Sequence, residues 1–434
     1  MTPDQIIFIA AIILAAGIPV GYWLNYRRSV AKAKDILATN IEAGLTEPVS
    51  LHPKIDCNSC ISTGACVSAC PEGKILGIVG GRGQLVSPSK CIGHGACMQA
   101  CPTGAISLVF GTETRGVDIP HVKETFETNV DGIYIAGELG GMGLIRNAVT
   151  QGRQAVENIR SSSARDGVFD LVIVGAGPAG LSATLQAKKQ KLKYITLEQE
   201  SEPGGAILHY PRQKLVMTQP MEIPLYGKYK RREINKEELV ELWNEVIDKT
   251  ELEIATGHKV TEIKREGDHF TVETNKDRFT ANNVILAIGR RGTPRKLQVP
   301  GEEGSRVCYR VLEPEQYEGM NLLVVGGGDS AVEGALALSE QHGTTVWLSY
   351  RKAVFSRIKE GNRTRLDEVS RNGKITLLLE SQVTAIDERE VRLNSPKGEV
   401  RIPNDYVFAF LGGELPTVFL EKVGVKMQKM FGER

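Results

Sequence analysis

The sequence predicts an α/β protein with two dinucleotide-binding domains, a small cysteine-rich α+β module ahead of them, and one apolar N-terminal helix. Three observations carry that prediction. Two segments, "DLVIVGAGPAGLSATLQAKKQ" from Asp170 and "NLLVVGGGDSAVEGALALSEQ" from Asn321, each read as an apolar strand, a glycine turn and a helix. Strands alternating with helices imply parallel sheets. Seven of the eight cysteines fall between residues 57 and 101, and residues 5–26 carry no charge.

At 434 residues the chain has room for two or three domains, each with its own core. A net charge of +1 gives no argument for a nucleic-acid partner. The 46 glycines suggest several places where a ligand comes close to the backbone. Cysteines clustered at short, regular gaps point to metal or cluster ligation in a reducing compartment rather than to disulfides.

The uncharged stretch "QIIFIAAIILAAGIPVGYWLNY" would extend roughly 33 Å as a helix, enough to cross a bilayer core. Gly17, Pro19 and Gly21 suit a membrane helix better than a soluble one, and Tyr22 and Trp23 suit an interface. The leader "MTPDQ" lacks the basic residues of a cleaved signal peptide, whereas Arg27, Arg28, Lys32 and Lys34 follow the apolar run. The expectation is a single-pass transmembrane signal-anchor over residues 1–26, with the rest of the chain held in the cytoplasm. A buried or interfacial helix is the alternative. Beyond it we expect a linker helix (27–50), the cysteine module (51–110), a first dinucleotide domain (111–295), a second (296–415) and a tail returning to the first (416–434).

In the cysteine module, "CNSCISTGACVSACP" gives Cys60, Thr63, Cys66 and Cys70, with Cys57 three residues earlier. "CIGHGACMQACP" gives Cys91, His94, Cys97 and Cys101, and Pro71 and Pro102 follow the two final cysteines. This repeat resembles bacterial two-cluster ferredoxins, in which the fourth cysteine of each half ligates the other cluster. The resemblance implies a ferredoxin-like fold with one site at Cys60, Cys66 and Cys101, completed by Cys57 or Thr63. The other site is Cys91, Cys97 and Cys70, with His94. "CIGHGAC" is also similar to ferredoxins that serve cytochrome P450s, so 4Fe-4S or 3Fe-4S clusters are expected. Imidazole in place of thiolate removes a negative charge and raises the reduction potential. Zinc held by three cysteines and a histidine, and His94 as an outward-facing loop residue, remain as alternatives.

In "VGAGPAG", Gly175 permits the tight turn, Gly177 lets a pyrophosphate approach, and Gly180 lets the helix pack on the strand; Pro178 and Ala179 begin that helix. Glu198, at the end of the next strand, is placed to accept from a ribose hydroxyl. The second motif sets Gly326, Gly328 and Ala331 in the same register, with Asp329 and Ser330 opening the helix. Its next strand ends without an acid, and Arg351, Lys352 and Arg357 favour a 2′-phosphate, hence NADP(H) over NAD(H). The alternative is that these bases form a solvated surface turn.

Together, "VIVGAGPAG", the Gly204–Gly205 pair of "SEPGG", "AIGRRGTP", "VVGGGDSAVE" and "VDGIYIAGE" resemble thioredoxin-reductase-like flavoproteins over about residues 115–425. The resemblance implies FAD at the first site and NADPH at the second. It also implies Gly137 and Glu138 beside the FAD ribityl chain, and a helix from Met142 approaching the flavin ring. Two departures stand out. The "AGE" segment precedes the first glycine motif instead of closing the chain, as in a circular permutation. Where thioredoxin reductases carry a C-x-x-C, this chain has Cys308 and Val311, so the dithiol route is lost and Cys308 reads as a small buried residue.

The expected function is that of a membrane-anchored flavoprotein oxidoreductase passing electrons between NAD(P)H, FAD and Fe–S clusters. No catalytic acid, base or nucleophile is required. The far partner would be a redox protein, a quinone or a membrane complex, and a homodimer is the expectation by analogy. The rivals are an NADPH-dependent low-molecular-weight disulfide reductase, since "HYPRQKLVMTQP" resembles bacillithiol disulfide reductase, and a non-catalytic redox sensor or assembly module.

Overall fold

The computed structural model describes residues 3–42, 44–48, 51–113, 116–141, 143–159, 168–210, 214–217, 220–231, 233–290, 294–311, 313–356, 358–413 and 416–432. The side chains of residues 3–7, 9–14, 215, 217 and 360 lie outside the described set. The chain forms two compact units. One comprises Met1–Thr112, Val354–Lys359 and Gly432–Arg434; the other comprises Glu113–Ala353 and Glu360–Phe431.

The first unit opens with α1 (Pro3–Glu42). Strand β1 (His52–Ile55) leads to α2 (Ala65–Ala69), the hairpin of β2 (Leu76–Val79) and β3 (Arg82–Leu85), α3 (Ala96–Gln99) and β4 (Ile106–Val109). β1 runs antiparallel to β4, so the module closes on its own first strand. The β2–β3 turn is Gly80–Gly81, both at positive φ, the preference of a two-residue hairpin whose twist matches its strands. Leu76, Cys97 and Ile106 form a small core, with Ile55, Val67, Leu85 and Leu108 against it.

The expected transmembrane signal-anchor, and the membrane placement and single-pass topology that rested on it, are corrected here. Among the described residues, no helix is long and apolar enough to cross a membrane. The uncharged stretch does not stand as a separate span. It is the first part of a 40-residue helix that continues through Arg27, Arg28, Lys32, Lys34 and Asp35. The second half of that helix is built into the module. Ala33 is buried so close to Gly77 that a Cβ at Gly77 would stand 2.6 Å from that of Ala33. Asn40, also buried, donates to the Val86 carbonyl (2.8 Å) and the Ser87 hydroxyl (3.2 Å).

The second unit begins with β5 (Val117–Pro120), β6 (Ile133–Ile135) and α4 (Ile145–Glu157). The first glycine segment follows as β7 (Phe169–Val174), α5 (Pro178–Lys189) and β8 (Tyr194–Leu197). Two short hairpin pairings, β9 (Leu215–Met217) with β12 (Glu233–Asn235) and β10 (Met221–Ile223) with β11 (Gly227–Tyr229), precede α6 (Lys236–Thr250). An antiparallel meander β13 (Val260–Glu266), β14 (His269–Thr274) and β15 (Arg278–Leu286) completes this half. β15 is the pivot of the sheet. Its C-terminal half pairs in parallel with β7 on one side and with β6 on the other, and β8 extends the sheet beyond β7.

The second parallel sheet takes β16 (Val307–Cys308), β17 (Asn321–Val325), α7 (Asp329–Ser339), β18 (Thr345–Tyr350), α8 (Glu360–Arg371) and β19 (Ile375–Leu379). An antiparallel triplet β20 (Gln382–Ile386), β21 (Glu390–Ser395) and β22 (Gly398–Pro403) leads back to β23 (Tyr406–Ala409). The strand order is β16-β23-β17-β18-β19, all parallel. Near the end, α9 (Thr417–Lys422) buries Leu420 in the core of the first sheet, and β24 (Met427–Met430) pairs with β5.

Candidate cofactor and cluster sites

In the cysteine module, each half folds into the same local structure. Gly64 and Gly95 hold left-handed conformations (φ 73° and 80°) and start α2 and α3. Two cavities flank these helices. The first is lined by Cys60, Cys66 and Cys101 together with Thr63 and the apolar Ile55 and Ile78. The second is lined by Cys70, Cys91 and Cys97 with His94, Glu72 and Leu76. The last cysteine of each half therefore lines the cavity of the other half. Cys57 is exposed and lines neither. Its turn is closed by Asp56, which accepts from the Asn58 N–H (3.0 Å) and the Ser59 hydroxyl (2.5 Å).

Four of the thiols lining these cavities are poor anions on their own. Burial pushes the Cys66, Cys70 and Cys97 thiols up, and neighbouring cysteines or Glu72 add to the rise. Cys91 is pushed to about 11, again chiefly by burial. Against the pull of burial, the Thr103 hydroxyl and the backbone N–H groups of Thr103, Ala105 and Gly104 hold the Cys101 thiol below its ordinary range. A cationic iron core would ionise all of them, since a coordinating thiol binds as thiolate. Among the described residues, no three His, Cys, Asp or Glu side chains converge on a single metal ion. The donor set is soft sulfur around a cavity, which fits an iron–sulfur core. One contributor that sequence reasoning missed is Gly83, whose N–H donates to Cys60 Sγ (3.4 Å). A side chain at Gly83 would sit 3.7 Å from the Cys60 and Cys66 sulfurs. The glycine-rich hairpin "GGRGQ" was the available signal.

The two glycine turns share one design. Gly175 (φ 99°) and Gly326 (φ 150°) are locked by backbone: an added Cβ would stand 2.7 Å from the Ala287 carbonyl or 2.5 Å from that of Phe410. At Gly177 the nearest atom to an added Cβ is Gly205 Cα at 3.8 Å, and at Gly328 there is nothing within 4 Å. Both positions open onto space, and neither α5 nor α7 has a side-chain cap, so first-turn N–H groups remain for an anion. At Gly180 an added Cβ would fall 1.8 Å from the Gly175 carbonyl, and Ala331 takes the matching place on α7. These cradles fit the pyrophosphates of FAD and NADP.

Around the first turn, the buried Glu198 accepts from the Ala176 N–H (2.7 Å) and the Glu200 N–H (3.0 Å). Gly204 donates to the Ala176 carbonyl (2.9 Å), and Gly205 comes so close to Gly177 that a Cβ there would lie 2.9 Å from its Cα. Gly137 (φ 86°) donates to Gln151 Oε1 (2.8 Å), a partner on α4 that the sequence did not announce. Glu138 opens a short turn next to the half-buried Arg290, whose guanidinium pKa is lowered by burial, with Glu138 and Asp118 opposing the shift. Met142 lies outside the described residues, and α4 starts at Ile145.

At the second turn, β7–β8 and β17–β18 registers align Glu198 with Tyr350. The Tyr350 ring lies over Gly327, where an added Cβ would stand 1.9 Å from a ring carbon. An aromatic ring thus occupies the place of the acid, and the exposed Arg351 and half-buried Lys352 follow it. Asp329 accepts from Asn362 Nδ2 (2.7 Å), and Ser330 is half-buried beside it. Arg357 lies outside the described residues. Cys308 is half-buried on β16, its sulfur 3.9 Å from the Tyr317 hydroxyl, and Val311 is buried.

Residues 172–431 match the pyridine nucleotide-disulphide oxidoreductase family. The chain belongs to that family. Residues 52–102 match a 4Fe-4S dicluster domain. A curated relative, bacilliredoxin reductase Bdr of Bacillus subtilis, is 28% identical over 60% of this chain and 82% of its own length. A ferredoxin–NADP reductase of Picrophilus torridus is 34% identical over 55% of this chain and 69% of its own. Among solved structures, the bacillithiol disulfide reductase Bdr (YpdA) of Staphylococcus aureus superposes with a TM-score of 0.55. It is 25% identical, covering 59% of this chain and 80% of its own. The protein is accordingly a flavin-dependent NAD(P)H oxidoreductase of the FAD/NADP-binding kind that also carries a 4Fe-4S dicluster domain.

Proposed function

We propose that this protein passes electrons between NADPH and its own Fe–S clusters by way of FAD, and from there to or from a redox-protein partner. When bound, the nicotinamide and flavin would supply hydride transfer, and the flavin and clusters single-electron transfer. The chain's part is binding and positioning. The Gly177 and Gly328 turns would receive the two pyrophosphates, Glu198 would fix the shape of the first turn, and Arg351 with Lys352 would face the 2′-phosphate. Cys60, Cys66 and Cys101 would hold one cluster, and Cys70, Cys91 and Cys97 the other.

The observation that carries this reading is the missing dithiol. Cys308 is the single cysteine of the second unit, its would-be partner position is the buried Val311, and all other cysteines belong to the cluster module. Electrons leaving the flavin have no internal disulfide to reduce, whereas two three-cysteine cavities are provided in the same chain. We also read the order of elements as a circular permutation. Its support is β6, which precedes the first glycine segment in sequence yet pairs in parallel with β15, far downstream.

The test is anaerobic addition of NADPH to the full-length holoprotein, following flavin absorbance and cluster EPR. Reduction of both, with cluster reduction lost when Cys97 is replaced by serine, is the expected result. Flavin reduction beside intact, silent clusters would sink the proposal. The second reading, a low-molecular-weight disulfide reductase, draws on the Bdr relatives. It requires that bacillithiol disulfide be turned over by the cluster-free variant as fast as by the intact protein.

A further inference from the structure

One buried glutamine on α4 is a polar group that the fold alone does not explain. Gln151 is only 7% exposed, and its Oε1 accepts from the Gly137 N–H (2.8 Å). An N–H must face an oxygen, so this bond fixes which end of the amide is which. The nitrogen Nε2 brings two donors, and among the described residues it has no protein partner. It is not sealed inside the core either, so it opens onto accessible space. Buried polar groups are nearly always paired, and one that is not calls for a partner from outside the chain.

The surroundings of the amide say which partner. Gly137 is pressed against α5: a Cβ there would stand 2.9 Å from that of Ala179 and 3.8 Å from that of Ala148. Gly152, the next residue on α4, lies over Ala179 as well, an added Cβ falling 2.0 Å from its carbonyl oxygen. The glycine that holds the amide and the glycine beside it in the chain thus both meet α5 at Ala179, in the turn that begins at Gly177. That turn is open, has no side-chain cap and carries the positive end of a 12-residue helix. An amide is planar and short, so fixing its oxygen on Gly137 holds Nε2 beside the same turn.

We propose that Gln151 is a binding residue for FAD: its Nε2 donates to a pyrophosphate oxygen of the cofactor received at the Gly177 turn, while its Oε1 holds the Gly137–Glu138 turn in place. The inference rests on FAD at the first site and not on where the electrons of the flavin go. One side chain thereby ties the anion to the segment beside the ribityl chain. A neutral amide suits both tasks, since it accepts on one side and donates to an anion on the other. A glutamate in its place could do both only while protonated, its carbonyl accepting from Gly137 and its hydroxyl donating outward. Ionised, it would still accept from Gly137 but would repel the phosphates, and burial with a neighbouring anion raises the pKa at which it ionises.

The experiment follows release of FAD from the diluted full-length holoprotein, read as the gain in flavin fluorescence, at ~pH 6 and ~pH 8.5 to bracket such a raised carboxyl. Gln151→Leu keeps the bulk and loses both hydrogen bonds; it should release FAD about 10- to 100-fold faster than wild type at both pH values. Gln151→Glu should release it near the wild-type rate at the lower pH and about 10- to 100-fold faster at the higher. The wild type, run at both, carries whatever Glu138 on the adjoining turn, Arg290 next to it, and Arg146, Arg153 and Glu157 on α4 contribute; α5 brings no titratable group before Lys188. Because the comparison is made within one variant, a general loss of stability cannot imitate it. Release from Gln151→Leu at the wild-type rate overturns the proposal. So does release from Gln151→Glu that stands in the same ratio to wild type at both pH values, which would leave the side chain only its bond to Gly137.

Discussion

Replacing Gly152 by alanine should destabilise the flavin half of the molecule and release its cofactor. Gly152 lies in the middle of α4, where that helix crosses the start of α5. An added Cβ would meet the Ala179 carbonyl oxygen at 2.0 Å and the Ala183 nitrogen at 3.1 Å. Ordinary contacts begin near 3.4 Å, so the helices must part by about 1.4 Å. The interface they share is fully packed: Val149, Val156, Ala183 and Ala187 are all buried. Overpacking of this kind costs roughly 1–3 kcal/mol, or about 2–12 °C in Tm at ~2–4 °C per kcal/mol. Ala179 also belongs to the turn proposed to receive the FAD pyrophosphate, so the same shift should loosen the flavin. Thermal melts followed by flavin fluorescence, and flavin-to-protein ratios after gel filtration, measure both effects. Gly361→Ala is the control: it is helical too, but an added Cβ there meets nothing within 4 Å, and the change should be neutral or stabilising by ~0.4–1 kcal/mol. A Gly152→Ala protein with wild-type melting and full flavin would refute the close crossing and the reasoning built on it.

Other expectations follow from single contacts. Glu198→Ala leaves the buried Ala176 N–H without its acceptor, a loss of about 1–3 kcal/mol, and should lower bound flavin in purified protein while leaving cluster iron unchanged. Gly327→Ala drives a methyl into the Tyr350 ring; NADPH KM should rise at least ~10-fold, and Tyr350→Ala in the same chain should recover part of it. Arg351→Ala should weaken NADPH by roughly 10- to 100-fold, the worth of a charge-assisted contact, and leave NADH unaffected; equal loss for both would rule out a 2′-phosphate role. Cys308→Ala should leave NADPH-driven cluster reduction at the wild-type rate in stopped flow. A large drop would return the thiol to the electron path.

Local chemistry was legible in the sequence wherever it is written in adjacent residues. The glycine turns are of that kind, because Gly175, Gly180 and Gly326 each answer a backbone clash a few residues away or in a neighbouring strand. The two cysteine triples were expected only through the resemblance to two-cluster ferredoxins, which pairs each half with the last cysteine of the other, and the two cavities are lined in that pattern. Spacing could not choose between Cys57 and Thr63, since both lie within reach in sequence and only the turn at Asp56 separates them. Tyr350 was overlooked because an aromatic residue at a strand end belongs to no motif. The run of three glycines at 326–328 was its trace, the middle one bare so that a ring can lie on it. Gln151 and Gly152 depend on a helix crossing that periodicity does not encode, although a glycine inside a helical pattern is itself a sign of close approach. The apolar N-terminus misled for a different reason: hydropathy counts a stretch of residues and cannot tell that the helix runs on into a packed, charged second half.

The position of β6 has a consequence for how the chain emerges from the ribosome. Ile133–Ile135 is buried in the finished sheet; one edge pairs locally with residues 126–128, but its partner on the other edge, β15, ends at Leu286. At a synthesis rate of ~5–20 residues per second, about 150 residues must follow before the partner exists, a delay on the order of ten seconds. The strands of the cysteine module, complete by Val109, can pair meanwhile. Until then β6 has only its local antiparallel contacts with residues 126–128, behind a module whose own strands are already complete. Slow codons or chaperone binding between residues 135 and 286 would decide how much of it reaches the native sheet rather than an aggregate.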